Sequence, residues 1–207
     1  MMSLYLRQLT LVLFLTLLGK QALAIEEAKY TVLKKEGALE LRQYAPHIVA
    51  ETVVESDFEE AGNKAFRRLF NYISGHNEAR QDIAMTTPVS QAAKGEKIAM
   101  TVPVGQQPSG NNWVVSFTMP ASYTLDTLPK PKDSQVILRQ VPEHYVAAIR
   151  YSGFWSQKSY NHHKQQLEAW IKQQSVKTTG EAIWARYNAP FTPWFFRRNE
   201  ILMPVEQ

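Results

Sequence analysis

The stretch Leu41–Ala50, LRQYAPHIVA, recurs as LRQVPEHYVA at Leu138–Ala147, with leucine, arginine, glutamine, histidine, valine and alanine at matching places. So dense a match marks a duplicated unit, one that buries its apolar face by packing against its own copy. The surroundings repeat as well. Each copy leads into a further apolar strand, then an aromatic residue and a capping-type side chain, then a helical stretch: Phe58–Ile73 in the first half, Ser156–Gln173 in the second. The chain therefore reads as a duplication, about 29–120 and 130–205, each half a strand hairpin, a helix and a further pair of strands.

In the first repeat, Lys29–Lys34, Leu39–Gln43 and His47–Val54 have the apolar and β-branched content of strands, and Ala45-Pro46 reads as a turn joining the last two into a hairpin. Ser56-Asp57-Phe58-Glu59 predicts a capping box, with the Ser56 hydroxyl accepting from the Glu59 amide. Phe58, Ala61, Gly62, Ala65, Leu69, Tyr72 and Ile73 then recur at helical spacing as one core stripe, and Ser74-Gly75 ends the helix.

A second phrase, I-A-M-T-x-P-V, begins at Ile83 and again at Ile98. Alternation predicts two matched strands, Ile83 and Met85 opposing Ala84 and Thr86, and Ile98 and Met100 opposing Ala99 and Thr101. Pro88 and Pro103, lacking an N–H for the ladder, mark their ends. Met119-Pro120 and Met203-Pro204 echo the phrase. Together these methionines predict one soft-walled interior, either filled as core or shaped to a ligand.

With 207 residues and 44% hydrophobic content, the chain can fill one core, and residues 25–207 are read as a single domain. Arg7, the apolar run Leu9–Leu18 and Ala22-Leu23-Ala24 form a secretory signal over residues 1–24, cleaved after Ala24. That run is too short to span about 30 Å of hydrocarbon comfortably. The expectation is a soluble protein exported to a periplasm, with no transmembrane span after cleavage. Losing Arg7 and Lys20 from 23 basic residues leaves 21 against 19 acidic ones, too small a bias for a nucleic-acid partner. Cysteine is absent, which excludes disulfides, iron–sulfur ligation and thiolate catalysis.

The chain has no G-x-S-x-G, G-x-x-x-x-G-K, H-E-x-x-H or G-x-G-x-x-G motif, so no catalytic residues are assigned and an enzyme is disfavoured. Of the five histidines, His76 and His162 fall on polar positions. His47 and His144 are equivalent in the two repeats and suggest a shared structural bond across strands. His163 lies on the apolar face of the second helix, either as a hydrogen-bonded core residue or as the one candidate axial ligand to a metal. No dedicated metal site has recognisable spacing.

The first helix carries Phe66 and Phe70 one turn apart at the edge of its buried stripe, with Asn63 and Arg67 beside them. Such a patch can receive a flat apolar ligand with an anionic edge against Arg67, or tuck under a loop with Arg67 solvated. Ala189–Phe196, APFTPWFF, is a candidate loop whose aromatic content exceeds that of an ordinary connection. It can equally serve as a module docking on a membrane surface or a protein partner.

ELRQY (Glu40–Tyr44), the AMT-x-PV pair, FTMP (Phe117–Pro120) followed by YTLDTLPKP (Tyr123–Pro131), and RYN-x-P…RRNE (Arg186–Glu200) together resemble the SOUL family of haem-binding proteins, from about Tyr30 to Val205. The resemblance implies an α+β fold, a distorted antiparallel β-barrel of two β-α-β-β repeats with two helices packed outside. It also implies reversible binding of haem or related tetrapyrroles without turnover. Where some members place an iron-ligating histidine, between Arg42 and Tyr44, this chain has Gln43. The other mode the family implies is apolar, using the first helix (here Asn63, Phe66, Phe70, Asn71) and the loop before RRNE (Phe191, Thr192, Trp194). Its basic partners are replaced by neutral residues, which leaves Arg67 as the cation, and a site without an iron ligand should also accept metal-free porphyrin.

Overall fold

Two proline corners decide how the strands pair. The computed structural model describes residues 25–79 and 95–206. The expected signal and the first I-A-M-T-x-P-V copy lie outside the described residues. In order come β1 (Tyr30–Glu36), β2 (Leu39–Tyr44), β3 (His47–Val54), α1 (Phe58–Ile73), β4 (Asn77–Glu78), β5 (Val104–Ser109), β6 (Asn112–Thr118) and β7 (Lys130–Pro131). They are followed by β8 (Ile137–Val141), β9 (His144–Tyr151), α2 (Gln157–Gln173), β10 (Ile183–Arg186), a 3-10 turn at Trp194–Phe196, and β11 (Asn199–Val205). The expected β2–β3 hairpin does not form. A two-residue hairpin loop needs positive φ at its first central residue. Ala45 adopts it only with strain, and at the matching β8–β9 corner Pro142 cannot adopt it at all. Each corner instead sends the chain across the sheet, so β2 pairs with β1 and β9, and β3 with β6 and β8.

The result is a nine-stranded sheet in the order β1-β2-β9-β11-β10-β5-β6-β3-β8, antiparallel at every pairing. It curls into a half-barrel, giving the α+β class. With β1 set aside, exchanging β2 with β8, β9 with β3, β11 with β6 and β10 with β5 reproduces the eight-strand order read from its other end. At the two corners His47 Nδ1 lies 2.9 Å from the Ala45 carbonyl and His144 Nδ1 lies 2.8 Å from that of Pro142. These bonds are local to each corner, not across strands as expected, because the corner itself leaves a carbonyl two residues back within reach.

Both helices pack on one face of the sheet. α1 buries the stripe its spacing predicts against Ile48, Ala50, Val115 and Phe117. α2 buries Tyr160, Leu167, Trp170 and Ile171 against Ala147, Ile149, Ile201 and Met203. The cap of α1 is Asp57, whose carboxylate accepts from the Glu60 amide at 2.8 Å. Ser56 is one residue too early and only donates to Glu60 at 3.4 Å. Among the described residues the methionines do not share one interior: Met119 lies under α1, Met203 under α2, and Met100 is exposed.

The run Ile98–Thr101 is not a strand. Its amides serve other elements: Ile98 N–H donates to the Ile73 carbonyl at the end of α1, and Val102 N–H to that of Glu26. Consequently Ile98 and Thr101 are buried while Ala99 and Met100 face outward.

The opposite face of the sheet carries Glu40 and Arg42 of ELRQY and Glu200 of RRNE. Arg42 Nη1 donates to Glu200 at 2.6 Å and Arg42 Nε to Glu40 at 2.8 Å. Arg198 Nε donates to Glu200 at 3.0 Å and its Nη1 to Glu27 at 2.8 Å. Tyr187 Oη adds a bond to Glu200 at 2.9 Å. Burial works against the charge on Arg42, but the bonds to Glu200 overcome it and hold its pKa above the ordinary value. These motifs tie β2, β10 and β11 together with matched charges rather than forming a ligand site.

Candidate functional site

An apolar cleft opens where α1 leaves the sheet edge near the end of β10. Its volume is about 340 Å³. Gly62, Asn63 and Phe66 of α1 form one wall and the segment Arg186–Phe191 the facing wall, with Ile25, Met100, Val102, Val104 and Trp155 completing the lining. Phe66 sits at the edge of the α1 stripe, so its ring packs inward on Phe117 at 5.3 Å and stacks on Phe70 at 5.7 Å while still reaching the cleft. Phe191, also in the lining, stands 89% exposed.

The facing wall is held by one arginine. Arg197 Nε donates to the Thr192 carbonyl and Nη2 to that of Pro190, both at 2.8 Å. Its guanidinium lies 4.3 Å from the centre of the Trp155 ring, and Trp155 in turn donates to Asn199 at 2.8 Å. Charge-assisted bonds thus close the 188–197 loop on itself, and the Trp155 ring connects it to Asn199 at the start of β11.

The structure divides the residues singled out in the sequence. Asn63, Phe66 and Phe191 line the cleft. Phe70 lies one turn beyond, partly exposed and stacked on Phe66. Arg67 is exposed and outside the lining, because its position on α1 turns it to solvent. Thr192 folds back in a turn with its amide on the Ala189 carbonyl, and Trp194 stacks on Phe154 at 5.1 Å. Neither is in the lining. His163 Nδ1 lies 2.7 Å from the Ser159 carbonyl and its ring stacks on Tyr151 at 3.7 Å. Burial lowers its pKa, and it too is outside the lining. Among the described residues no three His, Cys, Asp or Glu side chains gather to hold a metal.

The cation that does line the cleft is Arg186, which pattern reading overlooked. It stands on the same strand parity as Ala182 and Trp184, both buried toward the helices, and that parity was the available signal. Its guanidinium lies over Trp184 at 4.8 Å and Trp155 at 5.4 Å. Gln106, wholly buried, donates its amide to the Phe58 carbonyl at 2.7 Å and so turns its oxygen to accept from Arg186 Nη2 at 3.3 Å. Arg186 Nε has no hydrogen-bond partner, and no carboxylate pairs with the side chain, among the described residues. Burial without a counter-charge pulls its pKa down to about 10, which still leaves it charged at neutral pH.

A curled antiparallel half-barrel carrying two helices on one face is the architecture of the EcmrR C-terminal domain. The match has a TM-score of 0.54 and covers 86% of this chain and 98% of that one at 12% identity, a likeness of fold alone. The chain belongs to the SOUL family: the family model described as SOUL heme-binding protein matches residues 25–204. It is 29% identical to heme-binding protein 2 of Homo sapiens, over 79% of this chain and 80% of that protein. It is 27% identical to heme-binding protein 1 of Xenopus tropicalis, over 81% and 84% respectively.

Proposed function

We propose that the protein binds haem or a related tetrapyrrole reversibly in this cleft, without turnover, as an exported carrier or buffer. The observation that carries the reading is the cleft's lining: a slot walled by Phe66, Val102, Val104, Trp155, Pro190 and Phe191, suited to a flat apolar guest. Family membership supports the ligand class, and the amino-terminal signal supports export. Covering about 200–300 Å² of porphyrin at about 25 cal/mol/Å² contributes roughly 5–7 kcal/mol before ordering costs, which corresponds to about 10–200 μM as the upper limit of affinity from apolar contact. No histidine lines the slot, so apolar contact carries the binding. The test is to titrate haemin and metal-free protoporphyrin IX against the protein and its Phe66→Ser variant. Near-equal binding of the two pigments, weakened about tenfold by the substitution, is expected, the scale of one lost aromatic contact. Absence of binding sinks the proposal. A strong preference for the iron form would mean an iron ligand exists, with Met100, the thioether in the lining, as the first donor to replace.

A second reading rests on a run of exposed rings beside the cleft. Phe154, Trp194, Phe195 and Phe196 are 61%, 48%, 53% and 72% exposed and touch in sequence at 5.1, 5.4 and 4.5 Å. Such a patch suits docking on a membrane surface or a protein partner. No helix among the described residues is long and apolar enough to cross a membrane. Serine at Trp194 and Phe195 should abolish liposome or partner association and spare pigment binding. Unchanged association rejects this reading.

A further inference from the structure

Two other deeply placed arginines sit on carboxylates, Arg42 on Glu200 and Glu40, and Arg198 on Glu200 and Glu27. Arg186 does not. We propose that Arg186 is the seat for a carboxylate carried inward by the ligand, so that the cleft selects flat apolar acids and takes them acid end first. The proposal rests on the reading of the cleft as a tetrapyrrole site and adds the group that the site recognises and the orientation of the guest.

The surroundings of Arg186 hold its position without neutralising it. Two tryptophan faces flank the guanidinium, and the Gln106 amide supplies a neutral acceptor. On α1, a Cβ at residue 62 would stand 2.5 Å from Nη2 and 2.8 Å from Nη1, so glycine there leaves the room that the guanidinium occupies. Glycine inside a helix weakens it relative to alanine, and here its missing side chain is what lets the cation lie against the helix backbone at the floor of the slot. Arg186 is half-buried, and a charge drawn this far out of water with only a neutral acceptor beside it is costly to a fold. A guest that brings a carboxylate to it recovers that cost on binding.

The shape agrees with the charge. A guanidinium presents a planar fork of donors that matches a carboxylate two bonds at a time. The lining above it is apolar, which strengthens any ion pair formed there relative to one at the rim. Arg67, exposed on α1, faces water and gains little from pairing with the same acid. The acid-bearing edge of a tetrapyrrole therefore belongs at the floor against Arg186, and its apolar edge belongs at the mouth against Phe191.

The experiment compares protoporphyrin IX, a diacid, with its dimethyl ester by quenching of tryptophan fluorescence, using the full chain and its Arg186→Gln, Arg186→Lys and Phe66→Ser variants. Wild type should prefer the diacid by about ten- to a hundredfold, the worth of a charge-assisted pair. Arg186→Gln should lose that preference by weakening the diacid alone, and Arg186→Lys should keep part of it. Ester bound as tightly as diacid by wild type, or diacid binding unchanged in Arg186→Gln, overturns the proposal while leaving the cleft as a tetrapyrrole site. Phe66→Ser should weaken both pigments alike. If wild type takes up neither, the tetrapyrrole reading fails, and this inference with it. Thermal melting of the ligand-free variants guards against a trivial loss: removing an uncompensated charge should leave Arg186→Gln at least as stable as wild type. A markedly lower melting temperature, for that variant and the lysine variant alike, would make Arg186 a structural residue and overturn the proposal.

Discussion

Replacing Glu200 by alanine tests the ion network that joins the two ends of the chain. Glu200 is fully buried and accepts from Arg42 Nη1 and Nη2 at 2.6 and 3.2 Å, Arg198 Nε at 3.0 Å and Tyr187 Oη at 2.9 Å. Without it Arg42, 2% exposed, keeps only the bonds to Glu40 and Tyr44, and Arg198 keeps only Glu27 as a counter-charge. Taking one partner from a buried pair costs about 3–5 kcal/mol, because the remaining charge stays buried with much of its compensation removed. Against a typical total of about 5–15 kcal/mol, that loss is large enough to leave the chain partly unfolded near room temperature. Urea unfolding followed by tryptophan fluorescence measures it, with the slope m checked for constancy. Arg42→Met combined with Glu200→Met should lose less than the sum of the two single changes, since neither charge then strands the other. A Glu200→Ala loss below about 1 kcal/mol at unchanged m, the range of a solvated pair, would refute the argument and show that water reaches Arg42.

Three further outcomes are expected. Asp57→Ala should lower stability by about 1 kcal/mol, the cost of an N-cap, while Ser56→Ala changes it by a few tenths at most, and equal effects in urea unfolding would return the cap to Ser56. Leu69, wholly buried under α1, should cost about 2–5 kcal/mol when cut to alanine, and a smaller loss in the same assay would mean that α1 closes over the gap. Burial pulls the His47 imidazole below its ordinary value of 6.5, against the opposing bond to Ala45, so the unfolded chain binds the proton first as pH falls. Stability should be complete above about pH 6.5 and decline from there through the lower folded-state value. Thermal melts of His47→Gln should show a shallower acid limb, and an unchanged limb would assign the loss to other groups.

The residues buried on α1 were all legible beforehand, because helical spacing is a local property that each residue reports without knowing its neighbours in space. The family, too, could be read from short phrases. Strand pairing could not. Alternation along Leu39–Tyr44 separates Leu39 and Leu41 from Glu40, Arg42 and Tyr44, but says nothing about which strand lies alongside. That choice fell to the Ala45-Pro46 and Pro142-Glu143 corners, whose backbones resist the tight turn and carry each chain segment over to the other half. The same limit applies to the I-A-M-T-x-P-V phrase at Ile98, where hydrogen bonds to the end of α1 and to Glu26 replace the ladder that alternation suggested.

The site divides along the same line. Asn63, Phe66 and Phe191 could be proposed from helix position and aromatic content, and they stand together at the cleft. The cation could not be chosen that way. Arg67 and Arg186 are equal as letters; one is turned to water by its angle on α1, and the other is set by strand parity against Gly62 and two tryptophans, with no acid beside it among the described residues. Local pattern assigns a residue to an element and a face. Whether its charge is shared, solvated or left waiting depends on groups far away in the chain, and only the folded arrangement brings those within a few ångströms.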